Sequence, residues 1–199
     1  MIEKPLEWDY DELVLGTDEA GRGPMAGPVV IAGVCFPQGY HHELMDDSKK
    51  LSEKKREALF EVILRDALWY KIVFVDEKTI DQKNIYRACQ DAMSDIAKAS
   101  PCSMILTDAM PLVNVDKNFE AIVKGDQKSI AIAAASILAK VSRDRYMKKL
   151  DEIYPEYGFA KHKGYPTKAH MEALERYGVL DCHRKSYGPV LRRLQETLF

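Results

Sequence analysis

The chain has 199 residues, 46% of them hydrophobic and 30% charged, with a formal net charge of −2, a globular composition whose length points to one domain with a real core. Cys35, Cys89, Cys102 and Cys182 are widely spaced, with no C-x-x-C and no Cys/His pair at a zinc-finger interval, which disfavours a zinc finger and predicts reduced, structural thiols in a cytoplasmic protein. The acidic start MIEKPLEWDYDE is no export signal, and the longest apolar stretch, near PVVIAGVCF, falls far short of the roughly 18 residues that a membrane helix needs.

Taken in chain order, LVLGTDE (13–19) and PVVIAGVCF (28–36) are predicted strands joined by a glycine-rich turn, and YKIVFV (70–75) is β-rich in the same way. Residues 52–68 carry a helical pattern with Ser52 as N-cap, and residues 84–99 a second one closed by Pro101. SMILTDA (103–109) and FEAIVKGD (119–126) are two further predicted strands, each ending in an acid. SIAIAAASILAKVSRDRYMKKL (129–150) is a buried central helix whose alanines let it lie close to a sheet. A glycine-proline turn, a short helix and a basic tail complete the chain. With no internal repeat or linker, the pattern is one mixed α/β domain.

Acids at strand ends carry the chemistry of this reading. Three strands deliver Asp18 with Glu19, Asp108 and Asp126 to C-terminal edges, where α/β sheets place their sites. Carboxylates that converge repel one another unless protons or cations neutralise them, and a set of hard oxygen donors without Cys or His favours Mg²⁺ or Mn²⁺ over zinc. Two such ions about 3.5–4 Å apart suit in-line attack on phosphorus. Successive side chains on a strand face opposite ways, so Asp18 and Glu19 share a site only if the strand ends or bulges, and Ala20-Gly21 is the expected break. Asp126 as a helix N-cap and Asp108 as a turn residue are the structural alternatives.

The loop GRGPMAG (21–27) is not a dinucleotide fingerprint, because it lacks G-x-G-x-x-G and leads into a strand rather than a helix. Its glycines allow close approach of the backbone to a ligand, for which a sugar-phosphate chain is the candidate; a plain tight hairpin is the alternative. SKKLSEKKR (48–56) holds five basic residues against one acid, and residues 160–199 hold eight Lys/Arg against four Asp/Glu with three of the five histidines. Such local polarisation suits a phosphate backbone, although a solvated basic face has the same composition.

TDEAGRGPMAGPVVIA, DSKKLS, ILTDA, KGDQKSIAIAAASILAKVSRD and HKGYPT, spread from about Leu13 to Val190, together resemble bacterial ribonuclease HII. The resemblance implies a ribonuclease H-like α/β fold: a mixed β-sheet flanked by helices, in a single catalytic domain over residues 1–199, with residues of about 160–199 as a small helical, basic C-terminal extension. It implies an endonuclease, a monomer, that hydrolyses the RNA strand of RNA–DNA hybrids and nicks duplex DNA 5′ of an embedded ribonucleotide, using two divalent ions, Mg²⁺ or Mn²⁺, and leaving 3′-hydroxyl and 5′-phosphate ends. Asp18, Glu19, Asp108 and Asp126 match the family's metal-binding, catalytic acids. Gly21, Arg22 and Gly23 match the loop that reads the 2′-hydroxyl, and Tyr165 matches the tyrosine that packs on the next deoxyribose. Lys49 and Lys50 are candidate phosphate contacts, followed by Arg143, Lys161 and Lys163. Leu180–Cys182 departs from the family's usual spelling, which bears on the conformation of the tail. The sequence before Leu13 holds no additional DNA-binding domain, which disfavours the sister type, ribonuclease HIII. Another two-metal nuclease of the same fold and an inactive nucleic-acid-binding module are the remaining alternatives.

Overall fold

A computed structural model describes residues 2–45 and 51–196; Lys49 and Lys50 lie outside the described residues. Strands β1 (Val14–Ala20), β2 (Val29–Cys35) and β3 (Trp69–Val75) form an antiparallel meander, and β4 (Met104–Asp108) and β5 (Asn118–Ile122) add parallel to β1, giving the order β3-β2-β1-β4-β5. The β-branched runs make the strands, and the central ones are buried on both faces. Helices α1 (Glu53–Asp66) and α4 (Ile130–Ile153) cover one face, where Val30, Ala32 and Val34 of β2 meet Ile63, Ala134 and Ile137. Helices α2 (Glu77–Lys83) and α3 (Ile85–Ala99) cover the other, against Val29, Ile31 and Cys35. This is the mixed sheet between helices that the sequence predicts.

Helix α4 fixes the site's geometry because it approaches β1 closely at Gly16, where no side chain stands between them. A Cβ on Gly16 would stand 2.2 Å from the backbone of Ala131 and Ile132, so glycine is required there. Glu7 holds the start of α4, its carboxylate accepting from the Ala131 N–H at 2.8 Å and from the Ser129 hydroxyl.

Two local expectations change. The predicted strand 119–126 ends at Ile122, and Asp126 sits instead in a 3₁₀ turn, Gly125–Gln127, reached through Lys124 in the left-handed region at φ 56°. Between the predicted strand ending at Val75 and the predicted helix starting at Asn84, where no element was expected, α2 forms with a single buried residue, Ile80, behind an Asp76 cap that accepts from the Thr79 N–H at 2.7 Å.

Helices α5 (Phe159–His162), α6 (Lys168–Tyr177) and α7 (Gly188–Glu196) make the C-terminal region. Its backbone locks onto the loop after β1: Met25 N–H donates to Gly164 O at 2.9 Å, Gly27 N–H to Cys182 O at 2.8 Å, and Arg184 N–H to Met25 O at 2.9 Å. Residues 180–183 form a tight turn closed by His183 N–H on Leu180 O. Among the described residues no helix is long and apolar enough to cross a membrane.

Candidate active site

Strand register places the acids. The parallel pairing of β1 with β4 runs to Thr17 opposite Thr107, so Asp18 and Asp108 are the next residues on neighbouring strands and share one face. That face is the α4 face, since Asp18 stands opposite Ala32 of β2. Glu19 stands opposite Ile31 and therefore starts on the α3 face. Pairing with β2 runs through Ala20, where β1 ends, and Gly21 follows at φ 99°, so the break falls at Ala20-Gly21 as expected and Glu19 meets the site from the strand's end.

Asp18, Glu19 and Asp108 line one open cleft of about 450 Å³ together with Gly21, Arg22, Gly23, Arg56, Tyr165 and, from α4, Ser136, Lys140 and Arg143. The α4 residues recur at i, i+4 and i+7, the spacing of one helical face. Asp126 is not among the lining residues; it is buried, next to Gly125, whose N–H donates to the Asp108 carboxylate at 2.8 Å. Among the described residues no three His, Cys, Asp or Glu side chains stand close enough to form a ready-made metal shell.

Asp18 is held under electrostatic stress. Burial, with Glu19 and Asp108 nearby, raises its carboxyl well above the ordinary Asp range, although the Ser136 hydroxyl and its hydrogen bond with the Glu19 N–H, at 2.7 Å, oppose the shift. Arg22 relieves only Glu19, with a nitrogen–oxygen distance of 3.3 Å. A set of oxygen donors whose charges repel across a solvent-open cleft fits hard divalent cations.

The glycine loop is held from beneath by two buried arginines: Arg184, which was not singled out in the sequence, and Arg143, expected as a phosphate contact and found bonded to backbone carbonyls. Arg184 donates to the carbonyls of Gly21 (2.7 Å), Arg22 (3.0 Å) and Gly27 (3.0 Å), and to the Tyr187 hydroxyl (3.0 Å). Arg143, a candidate phosphate contact, is only 1% exposed and donates to the carbonyls of Pro28, Ala26 and Lys163. Gly21 has φ +99°, and a Cβ there would lie 2.0 Å from Arg143 Nε, so both the turn and the packing require glycine. Burial, reinforced by Arg184, pushes the Arg143 guanidinium down to about 10, and Glu77 is the acid that eases both cations. The signal in the sequence was faint: an Arg in the charged second half of α4 and a His-Arg pair in a basic tail.

Arg184→Met should therefore destabilise the protein by about 2–3 kcal/mol, since the Gly21 and Gly27 carbonyls lose this donor at about 1–3 kcal/mol each, the Arg22 carbonyl keeps that of the Tyr187 hydroxyl, and removal of a buried cation returns part of the cost. Urea denaturation checks this, and an unchanged midpoint would show that the clamp contributes nothing.

Tyr165 stands over this loop, 45% exposed, with ring atom Cε1 3.3 Å from where a Gly23 Cβ would sit. Lys161 is exposed at the end of α5, and Lys163 turns its ammonium back onto the Ala160 carbonyl.

Comparison with known proteins fits this arrangement. The family model described as Ribonuclease HII matches residues 15–190, and a curated Ribonuclease HII from Francisella tularensis subsp. mediasiatica is 52% identical over 186 residues, covering 92% of this chain and all of the relative. The chain belongs to the ribonuclease HII family. It is thus a ribonuclease H, a phosphodiester hydrolase of a family whose activity depends on divalent metal, and neither the ribonuclease HIII alternative nor the inactive binding module is needed. Ribonuclease H2 from Pyrococcus horikoshii is a close structural neighbour, with TM-score 0.81 and 26% identity over 92% of this chain and 98% of that one. The ribonuclease HII in a complex with PCNA from Archaeoglobus fulgidus matches with TM-score 0.76 and 27% identity over 88% and 95%. These ribonuclease HII and H2 structures share the five-stranded mixed sheet and its helical layers.

Proposed function

We propose that this ribonuclease HII cleaves the RNA strand of RNA–DNA hybrids and nicks duplex DNA on the 5′ side of single embedded ribonucleotides, with Asp18, Glu19, Asp108 and Asp126 as the residues that hold two divalent ions, Mg²⁺ or Mn²⁺. The observation that carries the reading is the in-register pair Asp18 and Asp108, facing α4 in the cleft that also holds the Gly21–Gly23 loop and Tyr165. When bound, the cations supply the positive charge that activates an attacking water and stabilises the departing 3′-oxygen.

The chain's own residues do the rest. Asp18 and Asp108 present carboxylate oxygens from rigid, paired strands, so their spacing is set by the sheet. With Arg184 holding the carbonyls of Gly21 and Arg22 from below, the exposed edge of the loop is kept in place against a ribose. The 2′-hydroxyl is the group that separates a ribonucleotide from its neighbours in duplex DNA, and a fixed loop without side-chain bulk can approach it closely. Tyr165 offers an apolar ring beside that loop for the following deoxyribose, which has no 2′-oxygen to desolvate. Lys140 and Arg56 at the cleft wall add positive charge for the phosphates.

Incubation of a labelled duplex bearing one ribonucleotide, with and without Mg²⁺, tests the reading. One nick 5′ of the ribonucleotide, only with metal, is expected, and cutting of all-DNA duplex at a similar rate would overturn it. Tyr165→Ala should lower cleavage at the single ribonucleotide about tenfold, the scale of a lost positioning contact, while leaving the thermal midpoint unchanged. Loss of stability in step with activity would mark Tyr165 as a packing residue instead.

A further inference from the structure

Three of the five histidines surround the loop that carries Tyr165, and their hydrogen bonds fix every ring proton. Leu180 N–H donates to His183 Nδ1 at 2.9 Å, so in the neutral ring the proton of His183 is on Nε2. That nitrogen faces His170 Nε2 at 3.2 Å, and His170 Nδ1 faces the Tyr165 carbonyl at 3.0 Å. A carbonyl only accepts, so His170 carries its proton on Nδ1 and receives from His183 on Nε2. The result is a one-way chain: Leu180 N–H to His183, His183 to His170, His170 to Tyr165 O.

His162 completes the brace from the other side. It donates from Nε2 to Tyr157 O at 2.7 Å and accepts the Gly164 N–H on Nδ1 at 3.2 Å, with its ring stacked on His170 at 4.4 Å between centroids. His170 and His183 are 0% and 1% exposed, so each link forms without competition from water. Thr167 N–H shares the Tyr165 carbonyl at 2.8 Å, and Tyr165 N–H donates to His162 O. Every polar backbone atom of Tyr165 is thus held from the buried side while its ring points at the Gly21–Gly23 loop.

We propose that His170 and His183 are positioning residues for substrate discrimination: their proton-ordered chain from Leu180 to the Tyr165 carbonyl sets where the Tyr165 ring stands over Gly23. The inference rests on the reading that Tyr165 contacts substrate. The chain has one workable proton order, which makes it testable without activity. It is carried by ring nitrogens, so an apolar replacement of similar size removes it while an amide preserves its last link.

Two measurements on the full-length protein decide it. Long-range ¹H–¹⁵N correlation spectra at pH 7 should show His170 protonated on Nδ1 and His183 on Nε2; a His170 proton on Nε2 overturns the chain. For activity, the ratio of kcat/KM on a single embedded ribonucleotide to that on a continuous hybrid is compared across variants. His170→Leu should lower this ratio about tenfold, whereas His170→Asn, which keeps an N–H near the Nδ1 position, should stay within about threefold of the parent. Equal ratios in His170→Leu and the parent overturn the proposal if Tyr165→Ala lowers the ratio. If Tyr165→Ala leaves the ratio unchanged, the substrate reading of Tyr165 fails, and the positioning role falls with it whatever the spectra show. Should His170→Leu fail to fold, the spectra alone decide the proton order, and His183→Gln, which retains an N–H near the Nε2 position, must keep the parental ratio.

Discussion

Asp18→Asn is expected to reduce Mg²⁺-dependent cleavage by more than about 100-fold, while binding of an RNA–DNA hybrid stays within a few-fold and the metal-free protein becomes more stable. The rate follows from scale: loss of a mere outer-shell partner of a bound metal costs about 10–100-fold, and Asp18 is the most buried of the three acids at the cleft. The stability follows from the cause of its shift. Burial, Glu19 and Asp108 all disfavour the charged carboxylate, so an acid at this position costs the fold stability at neutral pH, and a neutral amide of the same shape removes that burden. The Asn oxygen can still accept from Ser136 or from the Glu19 N–H. Single-turnover cleavage with Mg²⁺ and thermal denaturation in EDTA measure the two effects. Full activity would remove Asp18 from the acid set, and a lower thermal midpoint in EDTA would show that its hydrogen bonds outweigh the repulsion.

The electrostatic cost of a buried acid explains why the candidate site was partly legible in the sequence. Acids directly after β-branched runs are costly for a fold, so Asp18 and Asp108 stood out against VLGT and MILT, and the parallel register then placed them side by side. Asp126 was legible as a residue but not in its setting. FEAIV continues smoothly into KGD, and only the left-handed backbone at Lys124 turns the chain into a 3₁₀ turn before α4. Glu19 needed three dimensions as well, because the regular β1–β2 ladder directs it to the face opposite Asp18.

The buried cations and histidines were the least legible part. Local composition marks Arg143, Arg184, His170 and His183 as members of basic, polar stretches, and nothing local distinguishes a solvated arginine from one enclosed by backbone carbonyls. What encloses them is tertiary: the 180–187 segment folds back onto the loop after β1, and Asp81 of α2, a helix too short to show a clear periodicity, accepts from the N–H groups of Lys185 and Ser186 to hold that turn. The helix and the segment that carries Arg184 meet through these bonds, a tertiary contact that neither local sequence announces.

Acidification gives the second large effect. Burial lowers His170 and His183 to about 4, against 6.5 in the unfolded chain, and among the described residues no carboxylate forms an ion pair with either ring. Asp151 faces His162 and Lys163 lies beside it, while His170 and His183 face each other, His162 and the Tyr157 ring. Both rings stay neutral in the fold, so their full contribution is present above pH 6.5. It is lost as pH falls toward 4, because the unfolded chain takes up protons that the native one refuses. At pH 5 the loss is about 2 kcal/mol per ring, or about 4 for the pair, a large share of the about 5–15 kcal/mol of an ordinary domain. Asp18 runs the opposite way: its raised carboxyl binds a proton in the fold before it does in the unfolded chain, so acid relieves it and masks part of the histidine loss. Urea midpoints of the metal-free protein should therefore fall from pH 7 to pH 5, and fall more steeply in Asp18→Asn, where that offset is gone. Adding His183→Leu to Asp18→Asn should remove about half of the slope. A slope that His183→Leu does not change would mean that the acid sensitivity has its origin outside the two rings beneath Tyr165.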